Sequence, residues 1–437
     1  MDSQHPADAW VDSVPAAPAP LDPADPAPLA PAPADASVGV PDPAADAGAP
    51  RDADPVDPDR TPVGLPDAGA EAAAPLGAVP ADPDPVDPAP IDPAPLGAVL
   101  LDPAPADPDP VDPALADASV GLPDAAAEAA ARDARDPAIG RLGEAAVWAA
   151  AVQGAAPAHP FRAVRVVAVA ADHGIAAHGV SVHPPAVSAQ RAREAAGGSG
   201  VYARLALAAG ATLRVVDAGL DTDPPAETAV RRGSGVLGAE DVLTREEAAA
   251  AFRLGRSVAD AEIDGGADLL VPAVLGVGAS APAAVLVSAL CDQEPAVMTG
   301  RGSGIDDNAW MRKCVAVRDG LRRARTAGSD PIGLLAAAGG ADLAAVAGML
   351  LQAAVRRTPA LLDGVTVLAA ALVAQQVAVA APDWWYAPHD GGDRAERAAL
   401  NTLRLTPVTD LGMRLGDGTG ALVVLPLLQT ALDLRVP

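Results

Sequence analysis

Proline divides this 437-residue chain into two parts that cannot fold in the same way. Residues 1–122 hold 29 of the 47 prolines, and they hold 23 acidic residues against two arginines, a net charge of −21. Proline removes backbone hydrogen-bond donors, the carboxylates repel one another, and almost no aromatic side chains are present to bury. We therefore predict a disordered, acidic, low-complexity extension over residues 1–122 and a folded domain over residues 123–437.

The extension is internally repetitive, but at irregular spacing. Ala-Asp-Pro-Asp-Pro-Val-Asp-Pro stands at 81–88 and again at 106–113, and Pro-Leu-Gly-Ala-Val stands at 75–79 and at 95–99. The repeats of a solenoid stack at a fixed period, so these spacings argue against one. Duplication of a linker is the favoured interpretation, and a dedicated binding arm stays open as the alternative.

Beyond the extension, strand-like apolar runs alternate with alanine-rich helical stretches. This alternation is typical of βαβ units, so we predict an α/β domain with a mostly parallel sheet and flanking helices, Rossmann-like in architecture. The predicted strands are 163–170, 213–216, 269–275, 296–299 and 360–362. The predicted helices begin at Pro123-Asp124 and continue at 142–152, 187–209, 244–263, 282–291, 307–325 and 341–355.

Two uncharged runs, 269–291 and 364–382, could be mistaken for membrane spans. Proline and glycine interrupt the first, and two glutamines interrupt the second. Buried strands and helices of a parallel sheet also read as continuous apolar runs. We therefore interpret both as core elements of the domain and expect no membrane association.

Charge and cysteine content narrow the functional classes. The negative extension repels phosphate backbones, and no basic cluster with interleaved aromatics appears downstream, so we expect no nucleic-acid binding. The first residues lack the basic and apolar regions of a signal peptide, and two cysteines cannot form a disulfide framework. We expect a cytoplasmic protein.

Glycine-rich turns follow several predicted strands. Gly276-Val277-Gly278-Ala279-Ser280 opens a helix, where backbone amides can hold a phosphate. A second turn spans 300–304 and precedes Lys313, the one lysine of the chain, and a third spans 414–420. Together they predict a site for a phosphorylated small molecule. The first turn also matches a loose dinucleotide fingerprint, but strands precede it and no clear acidic residue follows at the expected distance, so we disfavour that interpretation.

Histidines and aromatic residues offer weaker signals. His173, His178 and His183 are spaced by five on a glycine-containing loop without accompanying cysteines or a close acid pair. A zinc site needs three or four ligands with an ordered second shell, so we interpret them as loop histidines near a pocket and predict no metal. The only aromatic cluster, 384–386, is either core or a lid over a flat ligand.

Taken together, the motifs resemble the nicotinate-nucleotide:dimethylbenzimidazole phosphoribosyltransferase family, in family order from about residue 123 to the end of the chain. The motifs that carry the resemblance are Asp172-His173-Gly174-Ile175, Gly179-Val180-Ser181 with Gln190, Val216-Asp217, Leu275-Gly276-Val277-Gly278, Gly302-Ser303-Gly304-Ile305-Asp306-Asp307 with Lys313, Leu362-Asp363-Gly364, and Arg414 to Gly420.

The resemblance implies an activity and a set of residue roles. The family transfers phosphoribosyl from nicotinate mononucleotide to 5,6-dimethylbenzimidazole for the cobalamin lower ligand, with no metal or cofactor required. Its members are typically homodimers, with a small helical domain built from both ends of the family region. By motif position, Asp417 is the general base, and the substrates are bound by Ser181, Gln190, Gly276, Gly278, Ser303, Gly304 and Lys313.

Several positions depart from the family pattern. Val274 replaces a carboxylate before the first glycine turn, and Ala279 begins the segment that replaces Asn-Thr-Thr after it. Asp393 and Glu396 stand in a segment that has lost its usual histidine, and Asp417 replaces a longer glutamate. An active transferase is the favoured hypothesis. The alternative is a catalytically impaired relative that binds a nucleotide or a benzimidazole-like ligand without turnover.

Overall fold

A sheet of parallel strands lies at the centre of the computed structural model, which describes residues 112–433 except residue 117. Within these residues, five strands pair in the order β2-β1-β3-β4-β5, and every neighbouring pair is parallel. The strands are β1 (Val164–Ala171), β2 (Thr212–Gly219), β3 (Leu269–Val274), β4 (Ala360–Leu361) and β5 (Trp385–Tyr386). The predicted α/β fold class is confirmed.

Helices flank this sheet. In the described part of the chain they are α1 (Ala125–Ala134), α2 (Arg141–Gln153), α3 (Val187–Ala196), α4 (Gly200–Ala208), α5 (Arg245–Asp264), α6 (Ser280–Leu290), α7 (Pro295–Met298), α8 (Asp307–Ala324), α9 (Pro331–Ala338), α10 (Ala341–Val355), α11 (Val365–Val377), α12 (Arg394–Leu403) and α13 (Thr419–Asp433).

Residue pattern and capping explain why these elements form. Strand β1 reads Val-Arg-Val-Val-Ala-Val-Ala-Ala and is buried at seven of its eight positions, as a strand covered on both faces should be. Val169 pairs with Val216 of β2 on one side and Val274 of β3 on the other. Helix α5 begins with a capping box between Thr244 and Glu247. Because the strands are parallel, their carboxyl ends share one edge, where the ligand site of such a sheet is expected.

Two local predictions are wrong. The segment 296–299 is not a strand, because Pro295 begins the short helix α7 and the Thr299 hydroxyl donates to the Pro295 carbonyl at 2.7 Å. The single helix predicted over 187–209 is two helices, α3 and α4, since glycines interrupt it at 197–198. Strand β5 was not predicted. Its Trp385 is fully buried, so the aromatic cluster belongs to the core.

The ends of the domain pack together as helices. Helix α2 contacts both α1 and α13, which brings the N-terminal and C-terminal parts of the domain into one helical layer. Trp148 of α2 stacks on Tyr386 of β5, with ring centroids 4.8 Å apart. This layer matches the helical part that the family resemblance implied.

The residues just before the predicted boundary at residue 122 contact the domain. Arg256 of α5 donates to the carbonyl of Ala114 at 3.1 Å and to that of Ala116 at 2.6 Å, and Ala114 is fully buried. The Trp384 indole donates to the carbonyl of Gly121 at 2.7 Å. The described residues of 112–122 therefore pack on the domain, because their carbonyls satisfy buried donors of the domain. Residues 1–111 lie outside the described part, so their disorder stays a prediction.

The two uncharged runs form core elements. The run at 269–291 folds as β3 and α6, and the run at 364–382 folds mainly as α11. In the described part of the chain, no helix combines the length and apolar character that crossing a bilayer requires.

Candidate active site

A cavity of about 710 Å³ opens at the carboxyl edge of the sheet. This volume falls within the range of small-molecule sites and can hold a mononucleotide together with a second ring system. Glycine turns and polar loops from distant parts of the chain line it, namely 180–183, 276–280, 299–303, 363–366, 389–396 and 413–420. The three glycine-rich turns that the sequence singled out therefore meet at one site.

Asp417 lines this cavity from the loop that precedes α13. Its carboxylate Oδ1 accepts a hydrogen bond of 2.6 Å from the Thr366 hydroxyl, at the start of α11. Burial raises the pKa of Asp417 to about 7, while the bond from Thr366 lowers it and the negative charge of Asp363 raises it further. A carboxyl group with this pKa is partly ionised at neutral pH and can accept a proton from a ligand.

Gly364 fixes where Asp417 lies. A Cβ at this position would stand 2.4 Å from the backbone nitrogen of Asp417, which is too close for any side chain. Gly364 also has φ of +89°, a conformation that favours glycine. Only a residue without a side chain lets the 416–417 backbone approach the end of β4 this closely.

Asp363 and His389 form a buried pair beside Asp417. One Asp363 oxygen accepts from the amide of Gly420 at 2.8 Å, and the other lies 3.6 Å from Nδ1 of His389. The Leu411 amide donates to Nε2 of His389, which places the proton of a neutral imidazole on Nδ1, facing Asp363. The sequence motif contains Asp363, but no role was predicted for it. Its position directly after a strand is the signal that it faces the site.

The first glycine turn presents backbone amides to the cavity. Gly276 to Ser280 line the wall, and no side chain caps the N-terminus of α6. Uncapped amides at a helix N-terminus attract anions, so this end of the cavity suits a phosphate. Several of these amides are already used: that of Val277 donates to Ser188 of α3 at 3.0 Å, and those of Ala279 and Ala281 donate to the carbonyls of Gly276 and Gly278. Since Pro282 has no N–H, the amides of Gly278 and Ser280 remain for a ligand at this helix N-terminus.

Lys313 is buried next to this turn and does not line the cavity. Its ammonium group donates to the Ser280 hydroxyl and to the carbonyl of Gly300, both at 2.9 Å. Burial lowers the pKa of Lys313 to about 8, against an opposing effect of Asp393. Lys313 therefore links the glycine turns at 276–280 and 300–304 from behind the cavity wall.

The remaining predicted binding residues divide into two groups. Ser181 and Ser303 line the cavity, and their hydroxyls lie 3.2 Å apart, which joins the loop after β1 to the turn at 300–304. Gly304 does not line the cavity. Gln190 is exposed and donates to Glu194 at 2.8 Å on the outer side of α3, whereas the next residue, Arg191, faces the cavity. Sequence reasoning missed Arg191.

The positions that depart from the family pattern are not all at the site. Val274 is buried in β3 and does not line the cavity, whereas Ala279, Asp393 and Glu396 do. Asp393 caps α12 by accepting from the Ala395 amide at 2.8 Å. Glu396 is 3% exposed, and burial raises its pKa to about 7, with an opposing effect of the bond from the Gly391 amide. The cavity therefore contains a second carboxyl group that titrates near neutral pH.

The histidines predicted to border the pocket have separate environments. His183 lines the cavity and His178 is exposed, but His173 is buried and contacts Asp342 of α10, with Nε2 2.9 Å from Oδ2. Burial opposes ionisation of His173, yet Asp342 raises its pKa above the usual value. A Cβ at Gly276 would lie 2.7 Å from the Asp342 carboxylate, so the His173–Asp342 pair packs directly against the first glycine turn. Among the described residues, no three potential ligands cluster as a metal would require.

These features define a class of protein. A parallel α/β sheet, a glycine turn at a helix N-terminus and a buried carboxyl group of raised pKa in one cavity are together suited to group transfer from a phosphorylated substrate.

Comparisons with known proteins identify the family within that class. Residues 120–435 match the family described as phosphoribosyltransferase. The nicotinate-nucleotide–dimethylbenzimidazole phosphoribosyltransferase of Mycobacterium tuberculosis is 51% identical over 324 residues, covering 72% of this chain and 90% of the relative. That of Mycobacterium marinum is 49% identical with the same coverage of both chains. The crystal structure of CobT from Thermus thermophilus superposes with a TM-score of 0.67 at 35% identity, covering 71% of this chain and 96% of the other. The chain belongs to the nicotinate-nucleotide:dimethylbenzimidazole phosphoribosyltransferase family.

Proposed function

We propose that this chain transfers the phosphoribosyl group of nicotinate mononucleotide to 5,6-dimethylbenzimidazole, releasing nicotinate and forming α-ribazole 5′-phosphate for the cobalamin lower ligand. Family membership sets the expected reaction. The observation that carries the proposal for this chain is Asp417, a carboxyl group of pKa about 7 that faces a cavity with an anion site. The enzyme class is accordingly a pentosyltransferase.

The proposed chemistry needs one proton acceptor. The unprotonated nitrogen of the benzimidazole attacks C1′ of the ribose, and the C1′–N bond breaks with its electron pair moving to the nicotinate ring. Attack from the opposite face inverts the configuration at C1′. The second benzimidazole nitrogen then loses its proton, and Asp417, which lines the cavity, would accept it. Thr366 orients the carboxylate, and positioning of the two rings supplies much of the remaining acceleration.

The proposed binding mode follows from the cavity walls. The phosphate would lie at the N-terminus of α6, on the turn that contains Gly276 and Gly278. Lys313 would act indirectly, because its ammonium group donates a hydrogen bond to the Ser280 hydroxyl and so holds the turn in place. Ser181 and Ser303 would border the aromatic base. The binding roles predicted for Gln190 and Gly304 require a rearrangement, because neither residue lines the cavity.

The test is turnover by the full chain with nicotinate mononucleotide and dimethylbenzimidazole. We expect free nicotinate and α-ribazole 5′-phosphate in equal amounts by chromatography, and we expect Asp417→Asn to lower the rate at least about 100-fold, as loss of general base catalysis does. Asp410→Asn is the matched control, since Asp410 is exposed in the same loop and lies outside the cavity wall. Folded protein that binds the mononucleotide but releases no nicotinate would support the alternative, binding without turnover.

The quaternary state and the location are further proposals. We infer a homodimer from the family resemblance, and light scattering on the purified chain would check it. The cytoplasm is the expected location because both substrates are small polar or aromatic metabolites, and fractionation of expressing cells would test this.

A further inference from the structure

Helix α3 carries an arginine into the cavity. Ser188 is fully buried and accepts a hydrogen bond from the Val277 amide, which fixes α3 against the first glycine turn. Residues three apart lie on one face of a helix, so Arg191 faces the same side as Ser188 and lines the cavity. Gln190 lies on the opposite, exposed side.

Four arginines of the described chain line the cavity, and Arg191 is the one that is both half-buried and without a hydrogen-bonded partner. Arg301 is engaged by the carbonyl of Ile305 and by Asp307, and Arg394 and Arg414 are exposed, so solvent screens their charges more strongly. Arg191 is half-buried, and its guanidinium makes no hydrogen bond or close ion pair with any residue in the described part of the chain.

Its surroundings are acidic. The carboxyl groups of Asp363, Asp393, Glu396 and Asp417 line the same cavity. Burial raises the pKa of Asp417, and the positive charge of Arg191 opposes this effect. The guanidinium therefore lies at the end of the cavity that contains Asp417, where the two rings would react. The phosphate would bind at the end formed by the N-terminus of α6, with Lys313 behind it. The carboxylate of a nicotinate ring that enters this acidic end needs a cation to offset the repulsion.

We propose that Arg191 binds the carboxylate of the nicotinate ring and so selects nicotinate mononucleotide over nicotinamide mononucleotide. This inference rests on the proposed function. A guanidinium matches a carboxylate through two parallel hydrogen bonds, and a neutral carboxamide cannot form that charged pair. When the C1′–N bond breaks, the ring nitrogen loses its positive charge and the leaving group becomes an anion. Arg191 stabilises that anion in a cavity that four protein carboxyl groups also line.

The experiment compares the two mononucleotides as phosphoribosyl donors, with dimethylbenzimidazole as acceptor. Wild-type protein is expected to prefer nicotinate mononucleotide. Arg191→Gln is expected to lower kcat/KM for it about 100-fold, the effect of removing one partner of a buried charged pair. With nicotinamide mononucleotide the change should stay within about threefold, so the preference disappears. Arg191→Lys should retain part of the preference, because it keeps the charge and loses the planar fork.

Arg193→Gln is the matched control. Arg193 lies on the same helix but is exposed and contacts only the carbonyl of Ala189, so both donors should react as with wild type. The ratio between donors is the informative quantity, because loss of Arg191 also raises the pKa of Asp417 and slows both reactions alike.

Each outcome of this experiment either supports or refutes the proposed role of Arg191. Equal losses with both donors would mean that Arg191 binds the phosphate or shapes the cavity, and the inference would be refuted, as it would by an unchanged preference. If wild-type protein releases no nicotinate at all, the proposed function fails. Titration calorimetry with nicotinate alone then still tests the inference, since binding should weaken in Arg191→Gln and not in Arg193→Gln. Thermal unfolding of each variant checks folding.

Discussion

Gly364→Ala should lower turnover by moving Asp417, although residue 364 is not itself the proposed base. The added Cβ would stand 2.4 Å from the Asp417 nitrogen, whereas ordinary contacts begin at 3.4 Å. The atoms involved are backbone on both sides, so no side chain can rotate to relieve the clash. The 416–417 backbone must therefore move by about 1 Å.

The size of the effect follows from that displacement. Proton transfer needs the carboxylate within hydrogen-bond reach of the ring nitrogen, and an error of about 1 Å in placing a reacting group can cost about 100-fold in rate. This loss corresponds to about 2.7 kcal/mol in the activation free energy. The bond between Thr366 and Asp417 should lengthen or break as well, because only one of its partners moves.

Nicotinate release under saturating substrates measures the rate, and thermal unfolding measures the stability. Gly412→Ala is the control, since Gly412 lies in the same loop with φ of +66° and would find no atom within 4 Å of its new Cβ. It reproduces the backbone strain, about 1 to 2 kcal/mol, without the collision. Turnover by folded Gly364→Ala within about twofold of Gly412→Ala would show that residue 364 does not position Asp417.

Four further predictions concern the pH dependence of the rate, the pH dependence of stability, the buried lysine and the chain boundary. The rate should rise as pH increases through about 7, because the base must be ionised, and Thr366→Val should move the midpoint upward in a pH–rate profile since it removes the bond that lowers the pKa of Asp417. Asp417→Asn should be more stable than wild type above pH 7 in thermal unfolding and lose that advantage at lower pH, because burial raises the folded-state pKa of Asp417 to about 7 and so favours the protonated form. Lys313→Ala should raise KM for the mononucleotide at least about tenfold and lower the unfolding midpoint, because the Ser280 hydroxyl and the Gly300 carbonyl lose their partner. Deleting residues 1–111 should leave both stability and turnover unchanged, whereas deleting residues 1–122 should lower the unfolding temperature by calorimetry, since buried donors of the domain then lose their carbonyl acceptors.

Local sequence determined the elements of this fold. Continuous runs of valine, alanine and leucine mark β1 and β3, because a strand buried on both faces has no polar side. Capping residues such as Thr244 and Asp306 mark where α5 and α8 begin, since their side chains bond to nearby amides. The short elements α7 and β5 were not determined in this way. The strand β5 exists because β4 offers it a hydrogen-bonding partner, which no local pattern records.

For the site, sequence determined which residue types follow each strand, and tertiary structure decided which of them share one cavity. The glycine turn at 276–280 could be assigned to a ligand site because it follows β3 and parallel strands end at a common edge. The turns at 300–304 and 414–420 follow the helices α7 and α12, and tertiary packing brings them to the same cavity. That Arg191 rather than Gln190 faces the cavity depends on how α3 rotates against the first turn. Lys313 lies behind the wall for a similar reason, since Ser280 and Gly300 take its hydrogen bonds. Spacing along the chain leaves these side-chain directions open, because they are set by packing between segments that are distant in sequence.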